Sequence, residues 1–114
     1  YCIKNNQGEP KSLGEFAIAI YNGLVNEYNN TIKEMEDILG YKINGINMVG
    51  GGIKDELICE LTAKVTGKKV IAGPIEATAL GNILVQMIAS GEIGNLSEAR
   101  KIVKNSFDTK IYLP

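Results

Sequence analysis

The sequence contains no histidine and no tryptophan, and it has only two cysteines, Cys2 and Cys59. Without histidine, the chain cannot itself supply a Ser-His-Asp triad, a Cys-His pair or a His-ligated metal site. Proton transfer would fall to a carboxylate, lysine, tyrosine or cysteine side chain. The two cysteines lie far apart and fit neither a metal-binding spacing nor a disulfide framework, so we interpret Cys59 as a core thiol and Cys2 as incidental.

Long apolar runs and blocks of like charge are also missing. The longest unbroken apolar run has six residues, 16–21, whereas a membrane-spanning helix needs about 20. Twelve Lys plus Arg against 13 Asp plus Glu give a formal net charge of -1, which does not favour nucleic acid or an anionic membrane. A length of 114 residues with 45% hydrophobic content is typical of one globular domain. We expect a soluble, cytoplasmic chain with no nucleic-acid or membrane partner.

The first half of the sequence predicts one long helix. Residues 12–15, Ser-Leu-Gly-Glu, form a capping-box pattern. Apolar residues then recur every three or four positions over 17–39, and Gly40 suits a left-handed helix end. The helix would be about 40 Å long. We expect its apolar stripe to face the core; the stripe includes Tyr21, Tyr28 and Met35.

The second half predicts two strands and three further helices. The short apolar runs 43–49 and 69–72 indicate strands, with a helix at 54–66 between them. One helix between two strands implies a parallel pair joined by a right-handed crossover. Further helices are predicted at 76–90 and 95–107. Gly81 lies inside the third helix, where close packing against a neighbouring element would explain a glycine.

In a sheet of two strands, each strand has one edge without a hydrogen-bonding partner. Both apolar runs, however, have the composition of strands that are covered on both faces of a larger sheet. Residues 1–3 or 111–113 could each add a strand. The simpler interpretation is that the chain is the back half of a larger α/β domain. A complete small domain is the alternative.

Three successive glycines, Gly50, Gly51 and Gly52, separate the first predicted strand from the next helix. This position borders the crevice of an α/β sheet, where backbone amides and the helix dipole favour an anion such as phosphate. Glycines allow close approach and positive φ. A dinucleotide G-x-G-x-x-G is excluded because Asp55 occupies its last position, and no G-x-x-x-x-G-K-[ST] occurs. From these residues alone, a nucleotide-binding turn and a turn without ligand both stay open.

Several motifs resemble the carboxyl-terminal part of the FGGY carbohydrate kinases. They are Met-Val-Gly-Gly-Gly at 48–52, Leu-Thr-Ala at 61–63, and the unbroken run Ala-Gly-Pro-Ile-Glu-Ala-Thr-Ala-Leu-Gly-Asn-Ile at 72–83. The resemblance reaches back to Gln7 and forward to Pro114, so it covers essentially the whole chain. The run 72–83 is the most specific part, and it favours one ketose-kinase branch over glycerol or xylulose kinases.

The resemblance implies a ribonuclease H-like, actin-like ATPase fold. Residues 1–114 would be a partial FGGY carboxyl-terminal, nucleotide-binding domain, the carboxyl-terminal half of the second domain. Gly51 would approach the phosphate or ribose of the nucleotide with its backbone, while Gly50 and Gly52 shape the turn. Asp55 lies where relatives often carry an asparagine near the adenine, and an aspartate keeps the acceptors but lacks the amide donors.

The resemblance also implies a reaction for the whole protein, transfer of the γ-phosphoryl group of ATP to a ketose, with Mg²⁺ bridging phosphate oxygens. The family's general base, an aspartate, lies upstream of Tyr1. We therefore assign no catalytic and no metal-binding residue here, and we predict that the fragment alone is inactive. The alternatives are a kinase for another ketose or polyol, and a free-standing nucleotide-binding or interaction module. Self-association could occur through exposed strand edges at 43–49 or 69–72.

Overall fold

The computed structural model describes residues 4, 6 and 8–114. Within this part of the chain, four α-helices and three strands confirm the predicted α/β class. The elements are α1 (Leu13–Leu39), β1 (Gly45–Met48), a 3-10 turn (Gly51–Lys54), α2 (Glu56–Thr66), β2 (Lys69–Ala72), α3 (Ala77–Ala89), α4 (Leu96–Ser106) and β3 (Lys110–Tyr112). None of the described helices combines the length and apolarity needed to cross a membrane. The strand considered at residues 1–3 and the thiol of Cys2 lie outside the described residues.

Helix α1 begins and ends where its local signals predicted. The hydroxyl of Ser12 accepts a hydrogen bond of 3.2 Å from the amide of Glu15. At the other end, Gly40 has φ 73° and its amide donates to the carbonyl of Glu36. In a capping box, the carboxylate of Glu15 would accept a hydrogen bond from the backbone amide of Ser12. Here it accepts from the amide of Lys11 instead.

The sheet has the strand order β1-β2-β3. Strands β1 and β2 are parallel, with Gly45 opposite Lys69 and Met48 opposite Ala72, which confirms the predicted pair. The third strand, at 110–112, is antiparallel to β2. Because β2 is hydrogen-bonded on both sides, the expected self-pairing through residues 69–72 is wrong. The outer edge of β1 has no partner among the described residues.

The core lies between α2 and the sheet. Its buried members are Cys59, Ala63, Val70, Ala72 and Tyr112. Cys59 has no exposed surface, and burial is the first cause that raises the pKa of its thiol. The interpretation of Cys59 as a core residue is therefore confirmed.

The apolar stripe of α1 is covered much less than the sequence predicted. Helix α1 packs against α2, yet its only buried residues are Val25 and Glu36. Tyr28 is 37% exposed and Met35 is 46% exposed. The prediction that this stripe is core is wrong for the described chain, because periodicity identifies an apolar face without identifying what covers it.

Gly81 also departs from its prediction. It lies in α3, which has no buried residue. A Cβ atom added to Gly81 would find no neighbouring atom within 4 Å. Close packing against another described element is therefore not the reason for this glycine.

Candidate functional site

The carboxyl ends of the two parallel strands meet beside the glycine turn. The amide of Gly73, which follows β2, donates a hydrogen bond of 2.9 Å to the carbonyl of Met48 in β1. The amide of Gly50 donates in turn to the carbonyl of Pro74 at 3.4 Å. Strand β3 begins at the same end of the sheet, since Lys110 is opposite Ala72. The crossover thus brings three loops to the edge where α/β sheets bind ligands.

The glycine turn is open above its backbone. Gly50 has φ 89°, a conformation that favours glycine. The amides of Ile53 and Asp55 donate to the carbonyls of Gly50 and Gly52 at 3.3 and 3.2 Å. The first amides of a helical turn have no acceptor within the turn, so those of Gly51 and Gly52 are available to a ligand. Both residues are exposed, and a Cβ atom on either would meet no atom within 4 Å.

Helix α2 does not start directly after the glycines, which corrects part of the electrostatic argument. The helix predicted at 54–66 begins two residues later, at Glu56, and a 3-10 turn (Gly51–Lys54) lies between it and β1. The carboxylate of Asp55 caps this helix by accepting a hydrogen bond of 3.0 Å from the amide of Leu57. A carboxylate already satisfies the positive end of the α2 dipole. The free amides of the glycines are therefore what the turn offers an anion.

Asp55 also joins the turn to α1. Its second carboxylate oxygen accepts a hydrogen bond from the hydroxyl of Tyr21. This hydrogen bond, with burial as the next cause, raises the pKa of Tyr21. Both oxygens of Asp55 thus bind groups of this chain. Sequence reasoning missed the pair, because the two residues lie 34 positions apart and no local pattern connects them.

An open groove of about 430 Å³ lies next to the turn. Apolar side chains form much of its wall, among them Ile53, Pro74, Ile75 and Phe107, and the charged residues Glu76, Asp108 and Lys110 also line it. Its volume falls within the usual range of small-molecule sites, about 300–1,000 Å³. Ile53 belongs to the 3-10 turn, so the groove continues directly from the glycines.

The charges around the groove are of both signs. The ammonium of Lys110 lies 2.7 Å from the carboxylate of Glu56, and this hydrogen bond is the first cause that raises the pKa of Lys110. Lys54 is exposed at the end of the 3-10 turn. In the part of the chain that the structure describes, no cluster of carboxylates or cysteines could hold a metal ion. Any Mg²⁺ at this turn would need ligands from phosphate oxygens or from other protein segments.

The fold agrees with the result of comparing the sequence with models of protein families. The features that agree are the parallel strand pair, the crossover helix and the glycine turn at the strand ends. A model of the FGGY family of carbohydrate kinases, C-terminal domain, matches residues 2–90. The chain therefore belongs to the FGGY carbohydrate kinase family, and the actin-like fold that the resemblance implied follows from this membership.

Among individual proteins, the chain is similar to rhamnulokinases. It is 46% identical over 114 residues to the rhamnulokinase of Ligilactobacillus salivarius and 45% identical to that of Bacillus subtilis, in both cases over 100% of this chain and 24% of the relative. The rhamnulokinase of Lactiplantibacillus plantarum is 46% identical, with 23% of its length covered. The chain thus spans about a quarter of the length of these relatives. Rhamnulokinases are the ketose-kinase branch that the run 72–83 resembles, so the predicted resemblance to this branch is confirmed.

Proposed function

We propose that the chain is the carboxyl-terminal part of an ATP-dependent rhamnulokinase, which converts ATP and L-rhamnulose to ADP and L-rhamnulose 1-phosphate. Similarity to rhamnulokinases over the full length of the chain supports this assignment. In this proposal, residues 1–114 are the nucleotide-binding, carboxyl-terminal half of the second domain of a ribonuclease H-like kinase. The protein would act in the cytoplasm, where ATP is available.

The single observation that carries the proposal is the open glycine turn at the end of β1. Gly50 has a positive φ, and Gly51 and Gly52 are exposed residues. Backbone amides without internal acceptors bind phosphate oxygens well. Gly51 would contact the phosphate or ribose of ATP, with Gly50 and Gly52 shaping the turn. ATP, accompanied by Mg²⁺, supplies the phosphoryl group.

No catalytic base is assigned within this chain. In the proposal, the base and the sugar contacts lie in other segments of the kinase, and these residues contribute binding and orientation of the nucleotide. Asp55 positions the turn through its two hydrogen bonds. A contact between Asp55 and adenine would have to use a carboxylate oxygen that already accepts the hydrogen bond from Tyr21.

An ADP-release assay tests the proposal. The whole kinase should phosphorylate L-rhamnulose, whereas the purified 114-residue chain should show no turnover with any sugar. Faster turnover of another ketose or of a polyol would favour the other family members. Absence of turnover with every sugar by the whole protein would refute the kinase assignment.

A nucleotide-binding or interaction module without catalysis is the second candidate. The packing of α2 on the sheet, which gives the chain a core of its own, favours it. This candidate predicts that the chain alone binds Mg-ATP in calorimetric titration. The kinase proposal predicts weak or no binding by the chain alone, because the opposite wall of the crevice is contributed by other segments.

A further inference from the structure

A hydrogen bond at each end connects the glycine turn to the rest of the chain. On the sheet side, the amide of Gly50 donates to the carbonyl of Pro74 at 3.4 Å. On the helix side, the carboxylate of Asp55 accepts a hydrogen bond from the hydroxyl of Tyr21. Gly51 and Gly52 lie between these two hydrogen bonds. Because glycine loses more conformational freedom on ordering than any other residue, the geometry of such a turn depends on what fixes its ends.

We propose that Tyr21 is a positioning residue for nucleotide binding: its hydroxyl, acting through Asp55, holds the amides of Gly51 and Gly52 in the geometry that binds phosphate. This inference rests on the proposed function, because it takes the glycine turn as the ATP contact. Tyr21 itself touches neither ATP nor sugar.

The connection from Tyr21 to the glycines is short. The amide of Asp55 donates to the carbonyl of Gly52 at 3.2 Å, so a displacement of Asp55 moves Gly52 with it. One oxygen of Asp55 is occupied by the amide of Leu57 at 3.0 Å. The second oxygen is held by Tyr21, which lies on a helix of 27 residues. The hydroxyl of Tyr21 thus links the turn to helix α1, which packs against α2.

Removal of the hydroxyl should loosen the turn and leave α2 in place. In Y21F, the cap from Asp55 to Leu57 persists, and α1 still packs against α2. The freed oxygen of Asp55 would turn to water, and the segment from Gly51 to Asp55 would sample more conformations. Binding of ATP would then have to reorder the turn, which lowers affinity for ATP and not for the sugar.

Tyr28 provides a matched control. It lies two helical turns further along α1, on the same apolar face, and its hydroxyl makes no hydrogen bond to any described residue. Y28F removes the same atom from the same helix. A general effect of the mutation on α1 would appear in both variants, whereas the effect through Asp55 would appear in Y21F alone.

The test measures steady-state kinetics of the whole kinase with ATP and sugar varied separately. Y21F should raise KM for ATP about three- to tenfold, a factor that matches the net contribution of one ordinary hydrogen bond. KM for the sugar and kcat should change less than about twofold, and Y28F should match the wild type.

D55N keeps an N-cap but offers one acceptor fewer. If Tyr21 acts through Asp55, KM for ATP in the Y21F/D55N double variant should be no higher than in the single variant that has the higher KM.

Three results overturn the inference while leaving the proposed function intact: an unchanged KM for ATP in Y21F, equal rises in Y21F and Y28F, or additive effects of Y21F and D55N. If Y21F fails to fold, D55A decides, since its side chain can neither accept from nor donate to Tyr21 and an unchanged KM for ATP in a folded D55A kinase contradicts a role for the pair. A wild-type protein that neither binds nor uses ATP refutes the proposed function and this inference together.

Discussion

The carboxylate of Glu36 accepts a hydrogen bond of 2.8 Å from the backbone amide of Ile43. The ammonium of Lys42 lies 2.8 Å from the same carboxylate, and that of Lys68 also binds it. Glu36 is only 6% exposed, so one side chain of α1 joins the segment before β1 to the loop before β2. Hydrogen bonds from Lys42, then Lys68 and then Ile43, lower the pKa of Glu36 from 4.5 to about 2.

The first prediction concerns acid stability. Because the pKa of Glu36 is lowered by folding, its stabilising contribution is complete above pH 4.5 and is lost as the pH falls from 4.5 towards 2. E36Q should be less stable than wild type at pH 7 and should lose less stability on acidification. Urea unfolding at pH 7, 4 and 3 measures this. E34Q, at an exposed position of the same helix, should follow the wild-type pH profile; identical profiles for E36Q and wild type would contradict the prediction.

The second prediction concerns Gly73, where β2 ends. Its φ is 130°, and an added Cβ would lie 3.0 Å from the carbonyl oxygen of Asp108 and 3.2 Å from the Thr109 methyl. G73A should lower the free energy of unfolding by about 1–3 kcal/mol, because the backbone conformation is strained and the loop before β3 must move. Chemical denaturation of the chain measures the change. A loss smaller than that of an exposed surface substitution would contradict the close approach.

The third prediction concerns Gly81, which is the opposite case. It lies in the interior of α3 with no atom within 4 Å of an added Cβ. G81A should stabilise the chain by about 0.5–1 kcal/mol, since alanine restricts the unfolded backbone and favours helix. Thermal unfolding monitored by circular dichroism checks the sign. Destabilisation of the 114-residue chain by G81A would show that the position is packed after all.

The fourth prediction concerns the exposed face of α1. Leu13 is 87% exposed and Ile38 is 85% exposed, and apolar surface of this kind promotes association. We expect the isolated chain to self-associate at high concentration. I38K should weaken association at least about fivefold and change the unfolding free energy by less than about 0.5 kcal/mol. Sedimentation at several concentrations tests this, with N30K as a control that adds the same charge at a polar, exposed position. Equal association of I38K and N30K would rule the apolar face out.

Local signals were sufficient for much of the fold. The caps Ser12 and Asn95 start α1 and α4, and Gly40 and Gly67 end α1 and α2 in the left-handed conformation. The parallel pair followed from its connection through one helix, since antiparallel neighbours need no crossover.

Non-local features were beyond the sequence. The pairing of Tyr21 with Asp55 and the three contacts of the Glu36 carboxylate depend on how α1 packs, which no local pattern specifies. The stripe of α1 was identified as apolar, but whether a partner covers it depends on segments beyond the helix itself. The 3-10 turn after Gly50 was missed because Lys54 and Asp55 are acceptable in a continuous helix as well as in a turn with a cap.

The most direct test of the account is the KM for ATP of the G51V variant of the whole kinase. Gly51 does not adopt positive φ and a Cβ atom there meets no neighbour within 4 Å, so a Cβ fits at this position, and the thermal midpoint of G51V reports whether the two γ-methyl groups of valine fit as well. The side chain would fill the space over the free amides, and KM for ATP should rise at least about tenfold, as expected for the loss of charge-assisted hydrogen bonds. A folded G51V kinase with the wild-type KM for ATP would contradict the claim that these amides contact the nucleotide.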